Sequence, residues 1–533
     1  IKQWGFNVER RIQRFQETIR WANIKRDQWF IQTSRAGLLT DLPDFNYGVG
    51  LNIRPSLIGD FGKEGSGKND FNFEPSLDVS QRVGSNIVAS LTVNTDFAET
   101  EVDSRQTNLT RFALFFPEKR SFFLEGSDIF EFGFGLSRNI IPFFSRRIGL
   151  YQGNAVPITV GGKVNGRIGK TAFGALTMRT RDTDIDGSEL AGTTMGVVRI
   201  KRNILKESSI GFIGTLGDPQ NRDRSTTTGL DFTYQTTRFK GDKNFLVGVS
   251  GIYVDRPDLS GDRSAFSFKM DYPNDIWDVA LTYFRIGESF DPSLGFVPRK
   301  SIHSYRAGLT FAPRPKWKWL RQMRNQLFFT YVTDLDGNWE TYRLFTAPIN
   351  WRLESGDRVE ANYTPRGEKL VEPFEIADGV IIPEGSYHFH RYRLEYEMAA
   401  KRQLNGQLTW WFGSFYEGDL HELEATINFN PSDFLNFEFI GTHNIGRLPF
   451  GDFDQTLIGL RVRINASPDL QLNSFIQYDT DTKSIGINAR IHWIFHPQGD
   501  IFMVFNRNTF DNLDRWELIN QQFLLKARYN FRL

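Results

Sequence analysis

Residues 522–533 read Gln522-Phe523-Leu524-Leu525-Lys526-Ala527-Arg528-Tyr529-Asn530-Phe531-Arg532-Leu533. Phe523, Leu525, Ala527, Tyr529, Phe531 and Leu533 share one parity; Gln522, Lys526, Arg528, Asn530 and Arg532 share the other. Successive side chains of a strand point to opposite faces, so this run is a strand with one apolar and one charged face. About ten residues is also the length that a tilted strand needs to cross a bilayer.

The same rhythm recurs upstream. Ile485, Ile487, Ala489, Ile491 and Trp493 oppose Asn488, Arg490 and His492. Leu423, Ala425, Ile427 and Phe429 oppose Glu422, Glu424, Thr426 and Asn428, and Leu404, Leu408, Trp410 and Phe412 oppose Asn405, Gln407 and Thr409. Ile158, Val160, Gly162, Val164 and Ile168 stand against Thr159, Lys163, Asn165 and Arg167. A soluble sandwich also alternates, but here the polar face mixes Arg, Glu, Asn and Gln as a hydrated lumen does. The apolar face often ends in Trp, Tyr or Phe, as at a membrane interface. An open edge in lipid would leave backbone groups unpaired, so the sheet must close. The pattern predicts an all-β, large antiparallel transmembrane barrel over residues 44–533, with about 26 strands, or 24 as the alternative even count.

Composition agrees. Aromatics are 14% of the 533 residues, with 49 Phe, and 47 Gly recur between short alternating runs. No window approaches the roughly 18 apolar residues of a membrane helix, which leaves barrel strands untouched. The chain has no Cys, which excludes disulfides and thiolate chemistry. Its net charge of +1 offers no basic footprint for nucleic acid. Short turns are expected near Gly169, Gly241, Pro273, Gly356, Pro431, Pro468 and Pro497, and longer connections over 287–300, 366–384 and 507–515. Barrels of this class have short periplasmic turns and long outer loops, which puts the chain end on the periplasmic side. Residues 1–43 differ in pattern and read as the end of a preceding domain plus a linker. Phe15 and Ile19 stand four apart, as in a short helix, although alternation fits Trp4 to Val8 better.

One interval breaks the rhythm. Residues 96–147 are rich in Phe and in paired charges, and exposed loops seldom carry so many Phe. We expect this segment to fill or cross the lumen, led by Phe115, Phe116, Pro117, Glu118, Lys119, Arg120, Phe122, Phe123, Glu125, Gly126, Arg146 and Arg147. Three runs here and beyond, NLTRFALFFPEKRSFFLEG (108–126), FFSRRIG (143–149) and IGESFDPSLGFVPR (286–299), resemble signatures of a large Gram-negative outer-membrane family. In that family a carbohydrate-binding-module-like β-sandwich (family nine type) precedes a C-terminal barrel of unknown function. The resemblance extends from Phe45 onward and implies a bacterial outer-membrane location, in contact with lipid and lipopolysaccharide. It also implies that residues 1 to about 40 are the last strands and linker of the sugar-binding-like domain. A polysaccharide ligand would be met through the missing part of that domain, and other outer-membrane proteins are further candidate partners.

Candidate chemistry is sparse. Asp96, Glu99, Glu101 and Asp103 could supply oxygens to calcium, but they lack the Gly and terminal Glu of an EF-hand loop. Pairing with Arg105, Arg111, Arg146 and Arg147 is the simpler expectation. His388 and His390 share a strand face and could ligate a metal, yet Tyr392, Leu394 and Tyr396 continue that face as an interfacial position would. Glycoside hydrolysis needs two converging carboxyls; Glu422 and Glu424 read as wall charges. There is no phosphate-cradling glycine loop, nucleophile elbow or HExxH, so no catalytic residue or cofactor is assigned. The expected role is a passage, docking platform or scaffold; the alternatives are a polysaccharide-binding protein or hydrolase, and a non-transporting component of a larger assembly.

Overall fold

The computed structural model describes residues 3–533 apart from 13, 16, 24, 32, 43–47, 68, 96, 98–102, 135, 137, 152, 186, 223 and 514, and apart from the side chains of 33 and 188. Each alternating run forms a strand paired antiparallel with its neighbour in sequence. The ring closes where Arg515–Tyr529 and Phe531–Arg532 meet Leu51–Glu64, with Phe523 opposite Phe61 and Phe531 opposite Ile53. Leu320–Met323 and Asn325–Thr333 are one strand interrupted at Arg324, and the last strand is interrupted at Asn530, so the described residues form a closed barrel of 24 strands. This is the smaller of the two expected counts. The hairpins Thr183–Ile185/Ser188–Leu190 and Phe374–Ala377/Val380–Ile382 pair only with themselves and stand outside the ring.

Closure sorts the two parities. Phe439, Ile458, Leu460, Ile476, Ile491 and Leu525 lie on the outside, solvated only by lipid, while Asn488, Asn506 and Gln522 face inward and bond to one another. With its apolar outer band the closed ring is a transmembrane barrel of the outer-membrane type, its outward face meeting lipid. Aromatic side chains mark both edges of the band. Trp277, Trp319, Trp493 and Phe531 lie toward the rim that carries the chain ends. Toward the opposite rim, outward-facing His303, His388, His390 and His421 each bond an aromatic neighbour: Tyr283, Tyr342, Tyr363 and Trp410, at 2.9–3.2 Å. His388 and His390 thus sit in this interfacial belt, each with its own tyrosine. Among the described residues no group of three or more His, Cys, Asp or Glu side chains is placed to hold a metal ion.

Connections at the chain-end rim are mostly tight; the long ones, 287–301 and 371–384, lie at the other rim with the 96–157 insertion. The 507–515 connection is shorter than its polar sequence predicts, because Gly499–Asn512 continues as a strand to the turn itself. Before the barrel, Gln3–Phe6 pairs with Gly37–Thr40, and Glu9–Ile12 with Glu17–Arg20. The helical reading of Phe15 to Ile19 therefore gives way to strand pairing, closed by Phe6 against Trp21 at 5.7 Å. Asp27 clamps this region to the chain-end rim. It takes the Lys243 ammonium at 2.9 Å and the Asp275 backbone N–H at 2.5 Å, and its own carbonyl accepts from Asn244.

Candidate functional site: the lumenal insertion

Thr95 and Ile158 are direct partners in adjacent strands, so the chain leaves the ring and rejoins it at the same rim. Between them it traces two arcs. The first crosses near that rim. Arg105 takes Gln477 at its backbone N–H (2.9 Å) and Ser484 at its guanidinium. Arg111 then pairs with Glu368 at 3.0 Å, and the Arg299 guanidinium covers the Phe112 ring. The three sequence runs quoted above converge here: Phe115, Phe144 and Phe296, one from each, form a triangle with centroids 5.3–5.6 Å apart. Ile141 and Phe296 exchange backbone hydrogen bonds beside it, and Arg147 donates to the Gly295 carbonyl at 2.9 Å.

The second arc, residues 121–139, runs around the inside of the wall near the middle of the strands. Phe130, Phe132 and Phe134 each lie over a wall glycine. A β-carbon would stand 2.9 Å from Phe130 at Gly174, 2.8 Å from Phe132 at Gly229 and 2.7 Å from Phe134 at Gly248. Absent side chains make the hollows that these rings fill. Leu136, Ile140 and Ile148 join Leu176, Met178, Met195, Val197, Ile213, Ile252, Val254 and Phe284 in one buried cluster. This sector of wall presents an apolar cluster to the lumen, and packing the insertion against it removes that cluster from water.

Cations of the wall hold the backbone of this arc. The buried Lys163 ammonium donates to the carbonyls of Phe122 (2.6 Å) and Glu125 (2.7 Å), which end the short helix Ser121–Leu124. Arg199, fully buried, grips Asp231 through two bonds and donates to the Glu131 carbonyl at 3.1 Å, under the Phe132 ring. Arg306 donates to Asn139 at 2.9 Å, and Lys269 lies over Phe134.

Between the arcs Glu118 and Arg120 form a two-pronged pair at 2.7 and 2.8 Å. Arg120 also donates to the carbonyls of Ser145 and Ile148, and Glu118 accepts from the Ser145 hydroxyl and from the backbone N–H groups of Lys119 and Arg120. Burial alone would raise the Glu118 carboxyl, but the hydrogen bonds and charge of Arg120 outweigh it and hold the group below its ordinary range. The Arg120 guanidinium lies 4.2 Å over Phe123, which is buried against Phe97 and Phe122. Gly126 adopts the left-handed backbone (φ +70°) where the chain passes Asn165.

Other predicted residues separate. Glu125 points its carboxylate into solvent. Phe116 lies under Arg146, which also donates to the Pro117 carbonyl. Asp103 pairs with Arg146 and with Lys119; Asp96, Glu99 and Glu101 lie outside the described residues. Arg105, Arg111 and Arg147 make their contacts away from Asp103, so charge pairing at that residue falls to Arg146 and Lys119.

The insertion leaves part of the lumen open. A cavity of about 1050 Å³ lies between Arg105, Asn154 and the amide-rich wall of Gln477, Asn488, Asn506, Asn508, Asn520 and Gln522. Beyond it, Arg358, Glu360, Arg393 and Glu395 form a continuous charged network.

Sequence reading missed Phe130, Phe132 and Leu136 and the wall glycines beneath the rings. The signal was present: FEFGFGL (130–136) sets an apolar side chain at every second position inside the irregular interval.

Residues 49–164 match the model of a family described as a domain of unknown function, DUF5916. No curated protein matches the chain. Among solved structures it is similar to a mutant ferric enterobactin receptor of Pseudomonas aeruginosa in complex with enterobactin (8% identity, 91% of this chain and 82% of that one, TM-score 0.40). It is also similar to a siderophore receptor of Acinetobacter baumannii (8%, 90% and 82%, TM-score 0.38) and to the ferric yersiniabactin uptake receptor of Yersinia pestis (7%, 96% and 86%, TM-score 0.40).

Proposed function

We propose that this outer-membrane barrel is a gated passage in which the 96–147 insertion is the gate. The carrying observation is the division of the lumen. One sector of wall is covered and packed under Phe130, Phe132 and Phe134, while another is amide-lined beside a cavity of about 1050 Å³. A structural filler has no need of a hydrated wall opposite it. In this reading the chain-end rim faces the periplasm, and residues 3–42, clamped through Asp27, carry a preceding domain up to that opening. A ligand captured by such a domain would be presented to the lumen.

Single-channel recording of the purified chain, with and without residues 99–137, tests this. Deletion should raise conductance several-fold, because the deleted stretch includes most of both arcs. Unchanged conductance in a folded barrel would sink the gate.

A further inference from the structure

We infer that the lumen wall carries an oxyanion-binding site at Arg343 and Arg366. These two arginines stand directly opposite each other on adjacent strands, both facing inward. Like charges in that relation repel, and no carboxylate of the described residues pairs directly with either of them. Among the described residues neither guanidinium has a carboxylate partner within 4 Å, and Arg366 Nε is buried without an acceptor. The carboxylates near Arg366 are already engaged: Glu368 by Arg111 and Tyr416, Glu422 by Arg391. Arg393, next along the wall, is held by Glu360 and Glu395.

Aromatic rings interleave the cations. Arg343 and Arg393 both lie over Phe345, at 5.3 and 5.6 Å, and Arg393 and Arg366 both lie over Trp411, at 5.1 and 5.4 Å. The rings keep the guanidinium groups apart and their planes oriented while leaving N–H edges for a ligand. Arg343, Phe345 and Arg393, with Arg358, Glu360 and Glu395, line an open recess of about 660 Å³ in the lumen, so a small solute reaches the pair from the Arg343 side. A planar or tetrahedral oxyanion, carboxylate or phosphate, would bridge the two arginines and satisfy Arg366 Nε; a flat apolar body attached to it would rest on Phe345 or Trp411. Occupancy needs no transport and is separable from the gate.

Inorganic phosphate titrated calorimetrically into the detergent-solubilised full chain at low salt, with glucose as the neutral control, tests the site. Saturable uptake of phosphate and none of glucose is expected. Arg343→Gln/Arg366→Gln should weaken it on the order of tenfold or more, the loss of charge-assisted hydrogen bonds, and Arg343→Lys should retain part of it. Arg463→Gln, a lumenal arginine engaged by Glu438 and Asn436, should bind as the parent does. If the double variant fails to fold, Arg343→Gln alone carries the comparison. No saturable uptake by the parent, equal affinity after Arg343→Gln, or an equal loss in Arg463→Gln overturns the assignment.

Discussion

Phe132 of the insertion stands over Gly229 of the wall so closely that a β-carbon at 229 would lie 2.8 Å from the ring. Gly229→Val should therefore lift the ring from its hollow at a cost of about 1–3 kcal/mol, and Gly248→Val should do the same at Phe134. The chain has no cysteine, so Leu136→Cys supplies a single reporter. Its maleimide labelling should be slow in the parent background and at least several-fold faster in either valine variant, with heat-modifiable migration of the barrel unchanged.

Arg199 and Asp231 are buried together beneath the insertion. Removing one partner strands a charge in a low-dielectric site, a loss of about 3–5 kcal/mol, whereas replacing both with apolar residues is far milder. Arg199→Met should lower the midpoint of urea unfolding much more than Arg199→Met/Asp231→Leu does. Equal loss in both would mean that the bond to the Glu131 carbonyl, not the ion pair, is what matters.

The Glu118 carboxyl titrates below its unfolded value of 4.5. A group depressed in the folded state contributes stability above its unfolded value, and that contribution disappears as pH falls through the folded value. The insertion should stay protected from acid-active protease at pH 5 and lose protection as pH drops below 4.5, after Arg120 loses its charged partner. Glu118→Gln should be labile already at pH 7 and show a flatter pH profile.

Asp27 joins residues 3–42 to the chain-end rim through Lys243, Asn244 and Asp275. Asp27→Ala should speed proteolysis within 3–42 several-fold while leaving the barrel intact on gels.

The two parities make opposite demands. Leu460→Arg, on the lipid face near mid-strand, should cost about 2–4 kcal/mol. Asn506→Arg, one strand face inward, should change folding little. Comparable losses from both would contradict the assignment of faces.

Much of this architecture was legible in the sequence because alternation is a local signal: Ile485 to Trp493 announce their face without reference to any partner. The closing pair Phe523 and Phe61 could be foreseen only as a requirement that the sheet have no edge. The insertion was legible as an anomaly, since many Phe residues between charges need a surface to cover. Its path was not. Phe130 meets Gly174, Phe132 meets Gly229 and Phe134 meets Gly248 across separations in sequence that no local pattern encodes. Arg343 and Arg366 likewise become neighbours only through strand register, and a single-residue slip would turn one of them toward lipid.

The pairing of Thr95 with Ile158 has a mechanical consequence. Both ends of the insertion are stitched into neighbouring staves, so traction applied at either terminus of the protein cannot draw it out like a cork on a string. In the gate proposed above, the insertion would move between two fixed ends, with the rings leaving their hollows while the hoop of strands stays whole.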